Sequence, residues 1–147
     1  MKIGIAADHG GFELKNIIRD FLIENGHSVE DHGAYEWDDT DDYPDFVIPL
    51  AKRIATNHLD RGIAICGSGV GASVAANKVK GVSAALIHDH FSARQGVEDD
   101  NINLLCLGGR VIGQEVAKDL VLTFLNAKFT HAERHLRRLN KVKALDE

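Results

Sequence analysis

Hydrophobic and polar positions fall into two kinds of block along this chain. Short apolar runs, strand-like in length and in their β-branched content, occur at Lys2–Ala7, Gly62–Ile65, Val82–Ile87 and Asn103–Leu107, with a weaker one at Ser28–His32. Between them the apolar residues recur at helical spacing. Gly10–Glu24 carries a stripe of Phe12, Ile17, Ile18, Phe21 and Leu22 and closes at Asn25-Gly26. A second helix is expected from a cap at Asp45 to about Asn57, with Pro49 just past its first turn. Gly71–Val79 is Ala-rich, Ser92–Val97 suits a short helix, Gln114–Asn126 is amphipathic, and a basic helix is expected over His131–Leu145. Five strands alternating with helices predict a single domain over 1–147. The expected fold is α/β: a three-layer α/β/α sandwich around a five-stranded parallel sheet, Rossmann-like, with the basic helix at its C-terminus. Crossovers in such a sheet are right-handed, and ligands bind beyond the C-terminal strand ends.

That rule singles out Ile63-Ala-Ile-Cys-Gly-Ser-Gly-Val-Gly-Ala-Ser73, an apolar strand running into clustered glycines and then a helix. Glycines let a backbone approach a ligand closely, and the free N–H groups of such a turn suit an anion. Cys66 stands at its mouth, where local positive potential favours thiolate over thiol. The other reading is a tight turn with an inert core cysteine. The loop lacks the Lys-Ser/Thr pair of a Walker A motif. Its glycines at 67, 69 and 71 do not match a dinucleotide fingerprint either. The strand-end rule gathers Asp8-His9, Cys66–Gly71, His88–His90 and Gly108–Arg110 at one edge. Asp8-His9 could equally cap the first helix.

Composition narrows the picture only a little. A hydrophobic content of 44% and a charged content of 27% are those of an ordinary globular chain. No apolar run approaches the roughly 20 residues of a membrane span, and Met1 leads straight into a strand-like run rather than a signal peptide. Cys66 and Cys106 form no CxxC, so neither a disulfide framework nor a zinc site is expected, and a reducing cytoplasm is the natural setting. Net charge is −5, which argues against general nucleic-acid binding. Charge is unevenly spread. Glu36–Asp45 holds six carboxylates and no base, whereas Lys128–Glu147 holds six Lys/Arg against three acids. Both runs read most simply as solvated surface. Arg134 and Arg138, four apart, face one way and could grip a phosphate or simply lie in solvent beside Glu133. Glu98, Asp99 and Asp100 precede the fifth strand as an acidic patch. It could serve as acid or base, as a metal ligand with His88–His90, or as a polar loop.

Taken together, several segments resemble one known family. They are Ala7-Asp8-His9-Gly10-Gly11-Phe12-Glu13-Leu14-Lys15, Asp42-Tyr43-Pro44, Cys66-Gly67-Ser68-Gly69-Val70-Gly71 with Ala75-Ala76-Asn77-Lys78, Gly109-Arg110-Val111-Ile112-Gly113, and Arg134-His135 with Arg137-Arg138. In this order they span nearly the whole chain and resemble the type B ribose-5-phosphate isomerases and related galactose-6-phosphate isomerase subunits. The resemblance implies an aldose–ketose isomerase of a phosphorylated sugar, most simply ribose 5-phosphate, with no metal or organic cofactor. It also implies a homodimer, in some members a tetramer, with active sites shared between subunits. By position, Cys66 would move the proton between C1 and C2, and Ser68 would assist at the sugar oxygens. Backbone amides of Gly67, Gly69, Val70 and Gly71 would hold the enediolate. Asp8 and Tyr43 would contact the sugar, while His9, Arg110, Arg134 and Arg138 would bind phosphate. The family commonly has His-Asn where this chain has Asp99-Asp100, and that histidine is assigned to opening the sugar ring. An aspartate ordinarily titrates near pH 4, far from neutrality. The substrate could therefore open unaided, be acyclic, or be served by His88 or His90. It could also be a hexose or tetrose phosphate, and a non-catalytic phospho-ligand sensor would use the same scaffold.

Overall fold

The computed structural model describes residues 1–146, so Glu147, counted above among the C-terminal acids, lies outside the described residues. The elements run β1 (Lys2–Ala7), α1 (Phe12–Glu24), β2 (Ser28–Asp31), α2 (Pro44–Ala55), β3 (Arg61–Cys66), α3 (Val70–Ala76), β4 (Ala84–Leu86), α4 (His90–Asp100), β5 (Leu104–Gly108), α5 (Gln114–Asn126) and α6 (Glu133–Lys143). A 3₁₀ turn, Ala144–Asp146, follows α6. All strand pairs are parallel and the sheet order is β2-β1-β3-β5-β4. The expected five-stranded α/β architecture is what forms.

Strand periodicity builds the three layers. Ile3, Ile5, Ile63, Ile65, Leu105 and Leu107 point to one face, where they meet Ile18 and Leu22 of α1, Val97 of α4 and Leu120 and Phe124 of α5. Ala6, Ala64, Cys66, Leu104 and Cys106 point to the other, under Leu50 and Ile54 of α2 and Ala72 and Ala76 of α3. Small residues on this second face let the short helix α3 lie close. Arg61 at the start of β3 ties the layers together. Its guanidinium donates to the carbonyls of Phe124, Leu125 and Ala127, and so caps the C-terminal end of α5, where a cation suits the helix dipole.

Several boundaries differ from the sequence reading for local reasons. β4 is three residues long rather than Val82–Ile87, because side chains replace ladder partners around it. The Asn103 carboxamide accepts from the Ser83 N–H at 2.9 Å, and Asn77 bonds both the N–H and the C=O of Ala84 on the open edge. α4 is eleven residues rather than a short Ser92–Val97 turn, because Asp89 accepts from the Ser92 N–H at 2.8 Å and starts the helix early. Glu98, Asp99 and Asp100 are therefore its last turn and not a loop. α2 begins at Pro44, not at a cap on Asp45, with a proline at the first helical position, where no N–H is needed. α3 starts and stops earlier than Gly71–Val79, and α6 is shorter than His131–Leu145.

One buried charge also organises the fold. Lys15 of α1 has no exposed surface, and its ammonium donates to both Asp31 oxygens at 2.9 and 3.0 Å and to the Ala34 carbonyl at 2.6 Å. Burial works against the Asp31 charge. The Gly33 amide, Lys15 and Arg19 outweigh it and hold the carboxyl below its ordinary value. A carboxyl with a depressed folded pKa stabilises the fold at neutral pH and loses that contribution as pH falls through the folded value. Asp31→Asn strands the Lys15 charge and should destabilise by about 3 kcal/mol at pH 7. In urea unfolding at stepped pH, its difference from the parent chain should shrink as pH drops below 3.8. A constant difference across pH would refute the ion-pair account.

Candidate active site

The chain leaves β1 toward β2 on one side and reaches β3 on the other, so the order of connection reverses between β1 and β3. A crevice forms at such a switch point, beyond the carboxyl ends of the strands. Asp8 leaves β1 there and Cys66 ends β3 there. A cleft of about 440 Å³ is lined by Asp8, Tyr43, Cys66, Gly67, Ser68, Gly71, Arg110 and Val111. A larger groove of about 870 Å³ also has Arg110 in its wall, together with His9, Glu13, Trp37 and Gln114.

The strand-end loops touch backbone to backbone. The Gly109 N–H donates to the Cys66 carbonyl at 2.8 Å, and the Arg110 N–H to the Gly67 carbonyl at 3.0 Å. A methyl group on Gly10 would lie 2.7 Å from the Gly67 nitrogen. Gly71 lies flat under the Tyr43 ring, where an added Cβ would come within 2.6 Å of its phenol carbon. Gly69 has φ +83°, in the left-handed region, so β3 can turn sharply into α3.

That turn aims a donor at the cysteine: the Gly69 N–H meets Cys66 Sγ at 3.2 Å. The Ser68 hydroxyl oxygen accepts from the Val70 N–H at 3.2 Å. Cys66 is only 4% exposed and packs with the α2/α3 core, yet it lines the cleft with Asp8, Tyr43 and Arg110. Cys106, on the same face of β5, has no exposed surface, and burial pushes its thiol well up.

Asp8 both shapes the turn and faces the cleft. One carboxylate oxygen accepts from the N–H groups of Gly10 at 2.9 Å and Gly11 at 3.3 Å, ahead of α1. Burial raises its pKa, against the opposing pull of His9 and the Gly10 amide, and nearby Asp41 adds to the rise. His9 donates through its backbone N–H at 3.0 Å, and its Nδ1 lies 2.7 Å from the same Asp41 oxygen. That hydrogen bond raises the His9 pKa, with partial opposition from desolvation. Asp8, His9 and Asp41 bring potential ligand atoms within 4.8 Å of one another. The direct His9–Asp41 contact, however, marks an ion pair rather than a free ligand set. Asp41 belongs to the acidic run read from sequence as solvated surface, and no local pattern flagged it.

The remaining candidates sit elsewhere. Asp99 accepts from Gln95 at 2.7 Å and pairs with the buried His135 of α6 at 3.3 Å. Asp99, Asp100, Arg134 and Arg138 do not line the Cys66 cleft. Arg134 and Arg138 are exposed and make no ion pair among the described residues, while Glu133 pairs instead with Arg137 at 2.8 Å. His88 accepts the Gly108 N–H through Nε2 at 3.0 Å, and exposed His90 lies 4.0 Å from Asp119. Neither faces Cys66 across the cleft.

A doubly wound sheet with a thiol, a carboxyl and backbone donors at its switch point describes an α/β enzyme-like site. The family model for Ribose/Galactose Isomerase matches residues 3–142, and the chain belongs to that family. It is 40% identical, over all of this chain and 98% of its relative, to the putative sugar phosphate isomerase YwlF of Bacillus subtilis. It is 37% identical to D-erythrulose-4-phosphate isomerase 2 of Mycolicibacterium smegmatis, over 99% of this chain and 97% of that protein. Among solved structures, ribose-5-phosphate isomerase B of Clostridium thermocellum superposes with a TM-score of 0.95 at 44% identity, covering 99% of this chain and 97% of that one.

The cradle geometry has a direct test. In Gly69→Ala a Cβ would meet the Leu107 backbone at 2.8 Å while φ stays at +83°. A stability loss of about 1–3 kcal/mol is expected in chemical denaturation. An unchanged midpoint would mean that the turn carries no such constraint.

Proposed function

We propose that this chain is an aldose–ketose isomerase of a phosphorylated sugar, with ribose 5-phosphate and ribulose 5-phosphate as the first substrate pair to test. The observation that carries this reading is the Cys66 sulfur at the sheet's switch point, facing a backbone N–H and sharing its cleft with Ser68, Asp8 and Arg110. In the open aldose, the Cys66 thiolate removes the proton from C2, and the electron pair moves into a C1–C2 enediolate. Backbone amides of residues 67–71 stabilise the oxygen charge. Ser68 passes a proton between O1 and O2, and the Cys66 thiol returns its proton to C1, leaving the ketone at C2. Asp8 and Tyr43 orient the hydroxyls. His9 and Arg110 hold the phosphate, and that remote binding energy positions the reacting carbons. No cofactor is needed for this transfer, and a free thiol base suits a reducing, cytoplasmic setting.

Arg134, Arg138, Asp99 and Asp100 enter this scheme from a second copy of the chain, in a homodimer or a tetramer built from two dimers. The exposed arginines, without acid partners among the described residues, and the apolar residues Val70, Val74, Phe91 and Val111 left in solvent support that assembly.

Cys66→Ala should lower interconversion of ribose 5-phosphate and ribulose 5-phosphate by roughly 10³-fold, the scale of a lost general base, with little change in unfolding midpoint. Near-normal turnover would remove Cys66 as the base. Intact ligand binding with no turnover even in the parent chain would favour a phospho-ligand sensor.

A second reading, a tetrose 4-phosphate as substrate, is favoured by Asp99. Both its oxygens are engaged, by Gln95 and His135, and it offers no ready proton to a ring oxygen. A tetrose phosphorylated on O4 lacks the hydroxyl that closes a furanose, so no ring-opening acid is required. Two relatives carry the name of a D-erythrulose-4-phosphate isomerase. Comparing kcat/KM for tetrose, pentose and hexose phosphates decides between these readings. A tetrose preference that shifts toward pentose in Asp99→His supports the second, and a pentose preference in the parent chain defeats it.

A further inference from the structure

The acidic run before α2 holds one carboxylate that is not solvated. Asp41 is 10% exposed, and its Oδ1 takes both the His9 backbone N–H at 3.0 Å and the His9 ring at 2.7 Å. Its Oδ2 is buried and has no partner among the described residues. A carboxylate so placed is costly unless a cation stands beside it, and His9 is the cation within reach. Because the carboxylate can only accept, the His9 Nδ1 must carry a proton. The free nitrogen, Nε2, belongs to a side chain that lines the groove beside Arg110.

We propose that Asp41 is a positioning residue: it fixes the His9 ring and presents Nε2 as a donor to the anionic end of the substrate. The phosphate assignment rests on the isomerase reading, whereas the His9–Asp41 coupling does not. Charge follows from the same geometry. Asp41 and Asp8 favour imidazolium, Arg110 opposes it, and Asp38 in the same loop and Glu13 of α1 on the groove wall add negative charge nearby. The balance raises the His9 pKa above the ordinary histidine value of 6.5, so the ring stays doubly protonated to higher pH than a free histidine. The coupling also links the acidic run to the site. Asp41 lies two residues before Tyr43, whose ring covers Gly71 at the start of α3.

Asp41→Asn keeps an oxygen that can accept the two bonds from His9 but removes the charge. The ratio of variant to parent KM for the sugar phosphate should be roughly 3- to 10-fold near pH 7.5, the scale of losing charge assistance at one hydrogen bond, with kcat changed less. The ratio should fall toward one by about pH 5.5, where histidine is protonated without help. In the NMR titration of the imidazole, the His9 midpoint should drop in the variant. In a His9→Gln background, Asp41→Asn should add nothing to KM, because the two residues act as a unit. A KM ratio independent of pH, an unmoved His9 midpoint, or an undiminished effect in the His9→Gln background would each overturn the proposal. Should Asp41→Asn fail to fold, a parent-chain His9 midpoint at or below 6.5 overturns it alone, and one above 6.5 that shifts on adding inorganic phosphate supports it. If no sugar phosphate is turned over at all, the isomerase reading fails, while the titration still decides whether Asp41 governs His9.

Discussion

Contact between main chains at the carboxyl end of the sheet is the constraint on which the site depends. The loops after β1, β3 and β5 meet with almost no side-chain volume between them. Gly10 lies against the Gly67 nitrogen, and the Gly109 and Arg110 amides reach the carbonyls of Cys66 and Gly67. Glycines there are a volume requirement more than a flexibility requirement. Because the loops brace one another, the Gly69 N–H stays aimed at the Cys66 sulfur without a dedicated side chain to hold it. Preorganised donors of this kind need not reorient when charge develops beside them.

How much of this could be read from the chain alone depends on the range of the interactions involved. The central strand was legible because apolar alternation is local, and the same alternation sends Ala64 and Cys66 to the face opposite Ile63 and Ile65. The extent of α4 is hard to read from sequence even though its cap, Asp89, is a residue type that starts helices. Gly96 and the acidic end of the helix weaken its apolar stripe. The length of β4 is not legible locally because Asn77 and Asn103, outside the strand, satisfy its edges. Asp41 was illegible for a stronger reason. Its partner lies 32 residues away, and five other carboxylates between Glu36 and Asp45 look the same in sequence.

Electrostatics follow a similar division. The chain is acidic overall, yet Arg110 and His9 line one groove together. Two other positive charges have structural tasks: Lys15 neutralises Asp31 in the interior, and Arg61 caps α5. Arg134 and Arg138 are exposed and make no ion pair among the described residues. The acidic run is mixed in the same way, most of it facing water while Asp41 is turned inward.

The placement of the two sulfurs bears on oxidative damage. Cys106 pairs with Ala64 across the sheet, while Cys66 pairs with Gly108, so the thiols share a face but are offset by two residues. Strand spacing and rise put their α-carbons about 8 Å apart, beyond the roughly 7 Å that a disulfide tolerates without backbone movement. An oxidised Cys66 therefore has no resolving thiol beside it within this chain. Peroxide would carry it up the sulfenic and sulfinic ladder unless a small thiol from solution reaches the cleft first.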